Sequence, residues 1–421
     1  MNLRLDHLLE VLRSDPADIL RRIDADPLLL KRVSGGLVLA NAGPTLFSPQ
    51  EPHQLYAKGI VYTRDPWAVV SLPLVKIYNL GERDVGERLH GLAADPLARL
   101  RFLRKFDGTL IQRFEHGGRV WFTTRGMIEG SAQAGTQDED APPRAAQFDF
   151  LGTARRLAQR LYPASCEPRP ELAHLTLVFE FLHPETRVIT NYGERQDLVL
   201  LAAFDRGDWR YLTHTELERL AAAHAFTVVD AFAPAGPSLA EQIDALLASI
   251  AGTDQEGTVI AVEHGDRVVY RAKVKSPDYL RVLKLVMTCT YARTVEMMDA
   301  HGLATWAQLE SHLRDLGREQ VPEEVLAFYR EHFDAHARYL ADCDRLAAWG
   351  NATAGGLLRE AIAEAGDADQ RALRKAFAAR AAGHPLRALL FAAFDGRLNV
   401  GVMRAIARTP TEAAELVGVL S

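Results

Sequence analysis

The stretch Lys105-Phe106-Asp107-Gly108-Thr109 lies between two runs of sequence that are predicted to be strands. Taken alone it fits a surface β-turn with an exposed lysine, because lysine, aspartate and glycine are all common in turns. Three further segments come after it in order: Phe179-Glu180-Phe181, Glu256-Gly257 and Lys273-Val274-Lys275. Gaps of 75, 76 and 17 residues separate Lys105, Glu180, Glu256 and Lys273. This ordered set carries more weight than any single member.

The sequence around these segments predicts antiparallel hairpins. Residues 109–114 and 119–124 flank a turn at Glu115-His116-Gly117-Gly118, and residues 257–262 and 267–273 flank His264-Gly265-Asp266. Further strands are predicted over 175–181 and 198–203. Helices are predicted over 148–162, over 238–250 and over 3–33, the last with breaks near Asp15-Pro16 and Asp26-Pro27. Many hairpins with few alternating β-α units favour an α+β domain built on antiparallel sheets. Residues 131–147 are polar and contain prolines, which predicts a surface loop.

The last third of the chain has a different character. After residue 281 it is rich in Ala, Leu, Arg and Glu at helical spacing, and helices are predicted over 282–300, 305–316, 322–349, 354–382 and 385–394. A chain of 421 residues is long for one core. We therefore expect two domains, 1–281 and a mostly helical 282–421.

Composition and charge narrow the function classes. The net charge of −6 argues against a protein that coats nucleic acid indiscriminately. Basic side chains nevertheless outnumber acidic ones by seven to two over residues 99–125 and by six to three over 263–284, which suits a phosphate-handling cleft. No apolar run approaches a membrane span. The three cysteines, Cys166, Cys289 and Cys343, form neither a zinc spacing nor a disulfide framework, so a cytoplasmic location is expected.

Glu180 is the carboxylate that most needs an explanation. It lies in the apolar run His174–Leu182, where strand alternation turns it to the face opposite Phe179 and Phe181. A carboxylate in such a strand costs several kcal/mol unless it has a partner. A ribose hydroxyl, a hydrated metal ion or the nearby Arg187 would serve.

The two later motifs also have alternative readings. Glu256, before Gly257 at the start of a strand, suits either a magnesium ligand or the cap of a turn. Lys273 and Lys275 are two residues apart in a strand and face the same way. Their mutual repulsion would be relieved by a bound triphosphate, or by solvent at an edge strand.

In this order the motifs resemble those of the ATP-dependent RNA ligases of the bacteriophage RNA ligase 1 type. The resemblance covers roughly residues 55–280 and extends to Lys58-Gly59, Lys76-Ile77-Tyr78-Asn79 and Thr123-Thr124-Arg125-Gly126. This sequence departs from the family at three positions: Lys58 stands for an arginine, Tyr78 for a phenylalanine, and Thr186 for the asparagine before Arg187. Replacing the arginine removes a bidentate phosphate contact and leaves a point charge.

The resemblance implies roles for individual residues. Lys105 would be the nucleophile that takes AMP from ATP, and the implied catalytic set is Lys105, Asp107, Glu180, Glu256, Lys273 and Lys275. The implied nucleotide-binding set is Lys58, Lys76, Tyr78, Lys105, Gly108, Arg125, Glu180, Glu256, Gly257, Lys273 and Lys275. Glu180 and Glu256 would bind Mg²⁺ or Mn²⁺. Because only an unprotonated amine attacks, the pKa of Lys105 is expected to be lowered by neighbouring cations.

The implied activity is the joining of RNA ends with a 5′-phosphate and a 3′-hydroxyl, through a lysyl-AMP enzyme and an adenylated RNA. Broken tRNA, a separate end-healing kinase or phosphatase, and RNA selection by the helical domain are further expectations. Two alternatives stay open. One is another covalent nucleotidyltransferase, a DNA ligase or capping enzyme, which usually carries a β-barrel after the Lys-x-Lys element. The other is a non-catalytic RNA-binding protein, which would form no covalent nucleotide.

Overall fold

The computed structural model of the protein describes residues 4–43, 45–46, 48–130, 148–318, 321–366 and 369–420. The surface loop expected over 131–147 lies outside these ranges. The chain divides into two units, Met1–Met287 and Thr288–Ser421. The sequence analysis placed this division at 281/282, which falls inside a helix of the first unit.

The helices of the first unit lie between and beside its strands. They are α1 (Leu5–Ser14), α2 (Pro16–Ala25), α3 (Val85–Ala93), α4 (Phe150–Leu161), α5 (His214–His224), α6 (Leu239–Ile250) and α7 (Pro277–Thr288), the last crossing the division. The expectation of helix as far as residue 33 is wrong. Helix α2 ends before Asp26-Pro27, and Gly35 and Gly36, both at positive φ, close a hairpin between Leu29–Ser34 and Leu37–Ala42.

The strands of this unit form three sheets. They are β1 (Leu29–Ser34), β2 (Leu37–Ala42), β3 (Lys58–Arg64), β4 (Trp67–Ser71), β5 (Tyr78–Asn79), β6 (Ala98–Lys105), β7 (Thr109–His116), β8 (Arg119–Thr124), β9 (Leu175–Leu182), β10 (Asp197–Asp205), β11 (Arg210–Tyr211), β12 (Thr227–Val228), β13 (Ala231–Phe232), β14 (Gly257–His264) and β15 (Arg267–Lys275). The first sheet has the order β1-β2-β3-β4. The second has the order β11-β10-β9-β7-β8, with β12 on β10, and the third β13-β6-β14-β15-β5.

Antiparallel pairing dominates these sheets, as the hairpin signals predicted. Both expected hairpins form, β7–β8 and β14–β15, while β12 on β10 and β5 on β15 are the parallel pairs among the described strands. One apolar cluster takes side chains from all three sheets, including Ile60, Phe102, Phe179 and Val262. This shared core fixes the second and third sheets relative to each other, which positions the candidate site.

The described residues of the second unit form helices joined by turns, with no strand among them. Its helices are α8 (Tyr291–His301), α9 (Trp306–Gly317), α10 (Glu323–Ala365), α11 (Gln370–Ala381), α12 (Arg387–Phe394), α13 (Val400–Ile406) and α14 (Pro410–Gly418). The predicted interruption between 349 and 354 is wrong, because α10 runs through it. A side chain at Gly350 would collide with Leu398, so this glycine permits close packing rather than ending the helix.

The α+β class and the helical C-terminal part are thus confirmed. None of the described helices combines the length and the apolar character that crossing a bilayer requires.

Candidate active site

A cavity of about 500 Å³ lies in the first unit, lined by residues of the second and third sheets. Seven of the predicted site residues in the four sequence motifs line it: Lys105, Asp107, Gly108, Glu180, Glu256, Lys273 and Lys275. Three cations of the flanking motifs, Lys58, Lys76 and Arg125, line it as well. The fold therefore brings together residues that lie far apart in the sequence.

Tyr78 and Gly257, two of the predicted nucleotide-binding residues, do not line this cavity. Tyr78 is buried, with Lys76 Nζ 5.3 Å from its ring centroid, so it supports the lysine that does line the cavity. Gly257 has φ +145°, and a side chain there would collide with the carbonyl oxygen of Val274. Neither residue faces the cavity: Tyr78 contacts a residue that lines it, and Gly257 allows the close strand pairing next to it.

The centre of the site is a lysine–carboxylate–lysine bridge. In the register of β6, β14 and β15, Lys105 lies opposite Gly257 and Gly257 lies opposite Lys275. Lys105 Nζ donates to Glu256 Oε2, and Lys275 Nζ lies 2.9 Å from Glu256 Oε1. Glu256 is buried. Burial alone would raise the pKa of Glu256, but the two lysines outweigh it and hold that pKa below its ordinary value.

The pKa of Lys105 differs from the sequence expectation. Burial favours a lower pKa, but the carboxylates of Glu256, Glu180 and Asp107 outweigh burial and raise it above its ordinary value. Arg104, the cation next to Lys105 in the sequence, lies over the ring of Phe106, with 5.1 Å from its Cζ to the ring centroid. In this state Lys105 is an ion-paired ammonium. Lys105 becomes a nucleophile only if another positive charge pairs with these carboxylates in its place, so that its amine can lose a proton.

Glu180 faces the cavity while Phe179 and Phe181 are buried in the core, as strand alternation predicted. Burial is the largest effect on Glu180 and raises its pKa to about 8, against the opposing attraction of Lys105. Arg187, the alternative partner considered from the sequence, donates through Nε to the carbonyl of Ile189.

Gly108 serves the packing between β7 and β9. The resemblance places this glycine in the implied nucleotide-binding set. A side chain there would lie 2.5 Å from the carbonyl oxygen of Phe181 and 3.1 Å from Glu180 Cγ. The backbone N–H of Gly108 also donates to Glu180. The glycine therefore lets the turn after Lys105 pack directly against Glu180 and fixes the position of the Glu180 carboxylate.

Asp107 ties the turn after Lys105 to two other parts of the unit. Its Oδ1 accepts a 2.8 Å hydrogen bond from Tyr279 Oη, and its Oδ2 accepts from the backbone N–H groups of Ile189 and Thr190 at 2.8 and 2.9 Å. Its own N–H donates to Tyr192 Oη at 2.9 Å. Burial, followed by the charge of Glu256, raises the pKa of Asp107. Asp107 is thus a positioning residue for the lysine turn.

Lys273 is the lysine whose pKa is lowered. Burial is the largest cause, followed by the positive charges of Lys105, Lys275 and Lys76, and together they bring the pKa to about 8. Lys273 and these three lysines repel each other, and an anion placed among them would relieve that repulsion. The arrangement suits a ligand with several phosphate groups.

Glu180 and Glu256 could hold a divalent metal only together with other ligands, such as water and phosphate oxygens. Among the described residues, no group of three or more His, Cys, Asp or Glu side chains could hold a metal. Glu180 and Glu256 both line the cavity. Mg²⁺ in proteins is commonly held by one or two carboxylates, with water and substrate phosphates completing its shell. The pair therefore fits a metal that arrives together with phosphates.

The sequence analysis missed several residues of this site. Ile189 and Thr190 contribute backbone N–H groups, which no sequence motif reveals. Arg271 also lines the cavity, and its only sequence signal is its period of two with Lys273 and Lys275 along β15.

Comparisons with known proteins give fold likenesses only. No family model matches the chain, and no curated protein matches it. An archaeal ATP-dependent RNA ligase is similar in structure, with 12% identity, 79% of this chain and 82% of that chain covered, and a TM-score of 0.43. A protein of Aquifex aeolicus assigned as an ATP-dependent DNA ligase is 14% identical, with 75% of this chain and 76% of that chain covered and a TM-score of 0.41. The Naegleria gruberi RNA ligase is 14% identical, with 50% of this chain and 57% of that chain covered and a TM-score of 0.36. Identities and TM-scores this low carry no argument about activity, so the function is argued from the site.

Proposed function

We propose that this protein is an ATP-dependent RNA ligase that works through a covalent lysyl-AMP. The observation that carries the proposal is the convergence of Lys105, Glu180, Glu256, Lys273 and Lys275 on one cavity, with Glu256 bridging two lysines. Attack by a lysine on ATP needs a site that binds the triphosphate, cations that stabilise the leaving pyrophosphate, and carboxylates that can hold a metal. This cavity suits all three within one unit.

In the first step Lys105 Nζ, after losing a proton, forms a bond to the α-phosphorus of ATP. The bond from that phosphorus to its bridging oxygen breaks, and pyrophosphate leaves. Lys273, Lys275 and Lys76 are placed to neutralise the charge on the departing phosphates. Mg²⁺ or Mn²⁺, held by Glu180 and Glu256 with the phosphates, would supply positive charge that lowers the pKa of Lys105.

The two later steps pass AMP onward. A 5′-phosphate oxygen of RNA attacks the phosphorus of lysyl-AMP, the N–P bond breaks, and the amine is released. The 3′-hydroxyl of a second end then loses its proton and attacks the 5′-phosphorus, and AMP departs. Lys105 is needed as a nucleophile only in the first step.

The choice of RNA rests on the part of the chain after the Lys273-Val274-Lys275 segment. DNA ligases and capping enzymes usually continue into a β-barrel, whereas this chain continues into α7 and, within its described residues, an all-helical second unit. We infer that the second unit selects the RNA, with broken tRNA as a candidate and a separate kinase or phosphatase preparing the ends. Arg371 and Lys375 are exposed on α11, and reversing their charges should weaken RNA binding without changing self-adenylation.

The deciding experiment incubates nucleotide-free protein with magnesium and ATP labelled at the α-phosphate, and reads the label on a denaturing gel. Wild type and Lys31→Ala, a control lysine on β1 outside the cavity, should keep the label, and Lys105→Ala should lose it. An unlabelled wild type would leave the non-catalytic RNA-binding protein as the better account. Labelling by GTP in place of ATP would favour a capping-type enzyme.

A second assay separates the steps and the polynucleotide. Lys105→Ala is expected to join RNA that already carries AMP on its 5′-phosphate, because that step needs no lysine nucleophile. Wild type should join single-stranded RNA ends in preference to a nicked DNA duplex. Equal or better sealing of the DNA nick would move the protein to the DNA ligases.

A further inference from the structure

The end of the cavity remote from Lys105 has a different chemistry from the end with the phosphate-binding cations. Successive rows across β6, β14 and β15 run from Lys105–Gly257–Lys275 to Leu103–Val259–Lys273 and then to Arg101–Ala261–Arg271. Arg271 lies four positions before Lys275 along β15, which is about 13 Å at strand spacing. Leu103, Val259, Leu201, Ala202 and Val229 supply apolar walls between them.

A break in strand pairing shapes one of these walls. Along β10, Leu200 lies opposite Phe179 and Ala202 lies opposite Val178, so Leu201 is the extra residue of a bulge. Both Leu201 and Ala202 line the cavity. A bulge changes the direction of consecutive side chains, and here Leu201 and Ala202 add apolar surface to the cavity that Leu103 and Val259 also line.

Arg271 is the charged group at this end. Its guanidinium carbon lies 4.3 Å from the ring centroid of the buried Tyr211, so the planar group is stacked and held in orientation. Burial lowers the pKa of Arg271. Glu263, the carboxylate that acts on it electrostatically, already accepts from Arg101 Nε at 3.2 Å and from the His214 N–H at 2.5 Å. Among the described residues, none accepts a hydrogen bond from the Arg271 guanidinium.

The guanidinium of the half-buried Arg271 carries five N–H donors that can bond a ligand in the cavity. Arg271 lies two rows from Lys105, and the row between them carries Leu103 and Val259 beside Lys273. A ligand whose phosphates lie among Lys105, Lys273 and Lys275 therefore reaches Arg271 with its other end. A flat, apolar-faced group with acceptor atoms on its edge fits this slot. Ring nitrogens of a purine are acceptors of this kind.

We propose that Arg271 is the residue that recognises the nucleotide base, by donating hydrogen bonds to ring-nitrogen acceptors of a purine seated between the bulge of β10 and the Leu103–Val259 surface. This assignment rests on the proposed function. It concerns specificity rather than the chemical step, which takes place at the other end of the cavity.

The test measures equilibrium binding by calorimetry with the full chain and two probes, AMP and inorganic pyrophosphate. Arg271→Gln should weaken AMP binding at least tenfold, since a hydrogen bond from a charged donor is lost, and leave pyrophosphate binding within twofold. Arg267→Gln is the matched control, because Arg267 lies on the same strand and is exposed outside the cavity. It should bind both probes as wild type does.

Wild type alone provides a second measurement that does not depend on the folding of a variant. Among 1-deaza-, 3-deaza- and 7-deaza-AMP, at least one should bind about tenfold more weakly than AMP, and that difference should vanish in Arg271→Gln. Equal binding of all three analogues to wild type, or equal loss of AMP and pyrophosphate in Arg271→Gln, overturns the assignment. Normal ATP labelling at Lys105 together with unchanged AMP binding by the variant overturns it while leaving the proposed function intact. A wild type that binds no AMP and takes no label overturns both.

Discussion

Replacing Lys273 by methionine should make the nucleotide-free protein more stable and the ligand-bound state weaker. Burial and three neighbouring lysines bring the pKa of Lys273 to about 8. A decrease of roughly 2.5 units from the ordinary lysine value corresponds to about 3 kcal/mol against the charged form in the folded state. Methionine is similar in length, carries no charge and removes this penalty.

The sign depends on pH. Below pH 8 the lysine is charged in both folded and unfolded chains, so the full penalty is present and Lys273→Met gains about 3 kcal/mol. Between pH 8 and about 10.5 the folded lysine is neutral while the unfolded one is still charged, so the advantage of methionine declines and then disappears. ATP affinity should fall at least tenfold in the variant, because one phosphate-neutralising cation is lost.

The assay is urea-induced unfolding at pH 7 and pH 10, read by hydrogen exchange and mass spectrometry. Peptides covering β14 and β15 report on the first unit, and peptides of α10 serve as an internal control. Lys31→Met, on β1, is the control variant and should not raise the unfolding midpoint. If Lys273→Met lowers the midpoint at pH 7, or raises it equally at pH 7 and pH 10, then the electrostatic account of this lysine is wrong.

Three further outcomes are expected. Gly257→Ala should prevent correct pairing of β14 with β15, because a side chain there collides with the Val274 carbonyl, and circular dichroism melting should show a loss of several degrees or failure to fold. Tyr279→Phe leaves Asp107 without one buried hydrogen bond, so stability should fall by about 1–3 kcal/mol and the rate of self-adenylation by roughly tenfold, measured by melting and by label uptake. Glu256→Gln removes the negative charge that raises the pKa of Lys105, so Lys105 should react faster with an amine-selective reagent at pH 8 while label uptake from ATP falls. A slower reaction at Lys105 in that variant would contradict the bridge.

Much of the fold could be predicted from local sequence. The hairpins β7–β8 and β14–β15, the helices α4 and α6 and the helical second unit agree with turn residues, alternation and helical spacing. Both wrong predictions concern segments whose structure depends on contacts with residues distant in the sequence. Leu29–Ser34 was expected to be helical because its leucines fit a helical period, but pairing with β2 decides its conformation. A break between residues 349 and 354 was expected, but α10 runs through it, and Gly350 in this stretch packs closely against Leu398.

Local patterns along the chain were enough to select the residues proposed to carry the chemistry, because the types and spacing of Lys105, Glu180, Glu256, Lys273 and Lys275 are visible in the sequence. Their electrostatics come from the tertiary fold. The pKa of a side chain depends on charges that the fold brings near it, so Lys105 has a raised pKa and Lys273 a lowered one although both are lysines near strand ends. The same holds for Arg271: its place at the far end of the cavity is set by the register of three strands distant in sequence, which no local pattern encodes.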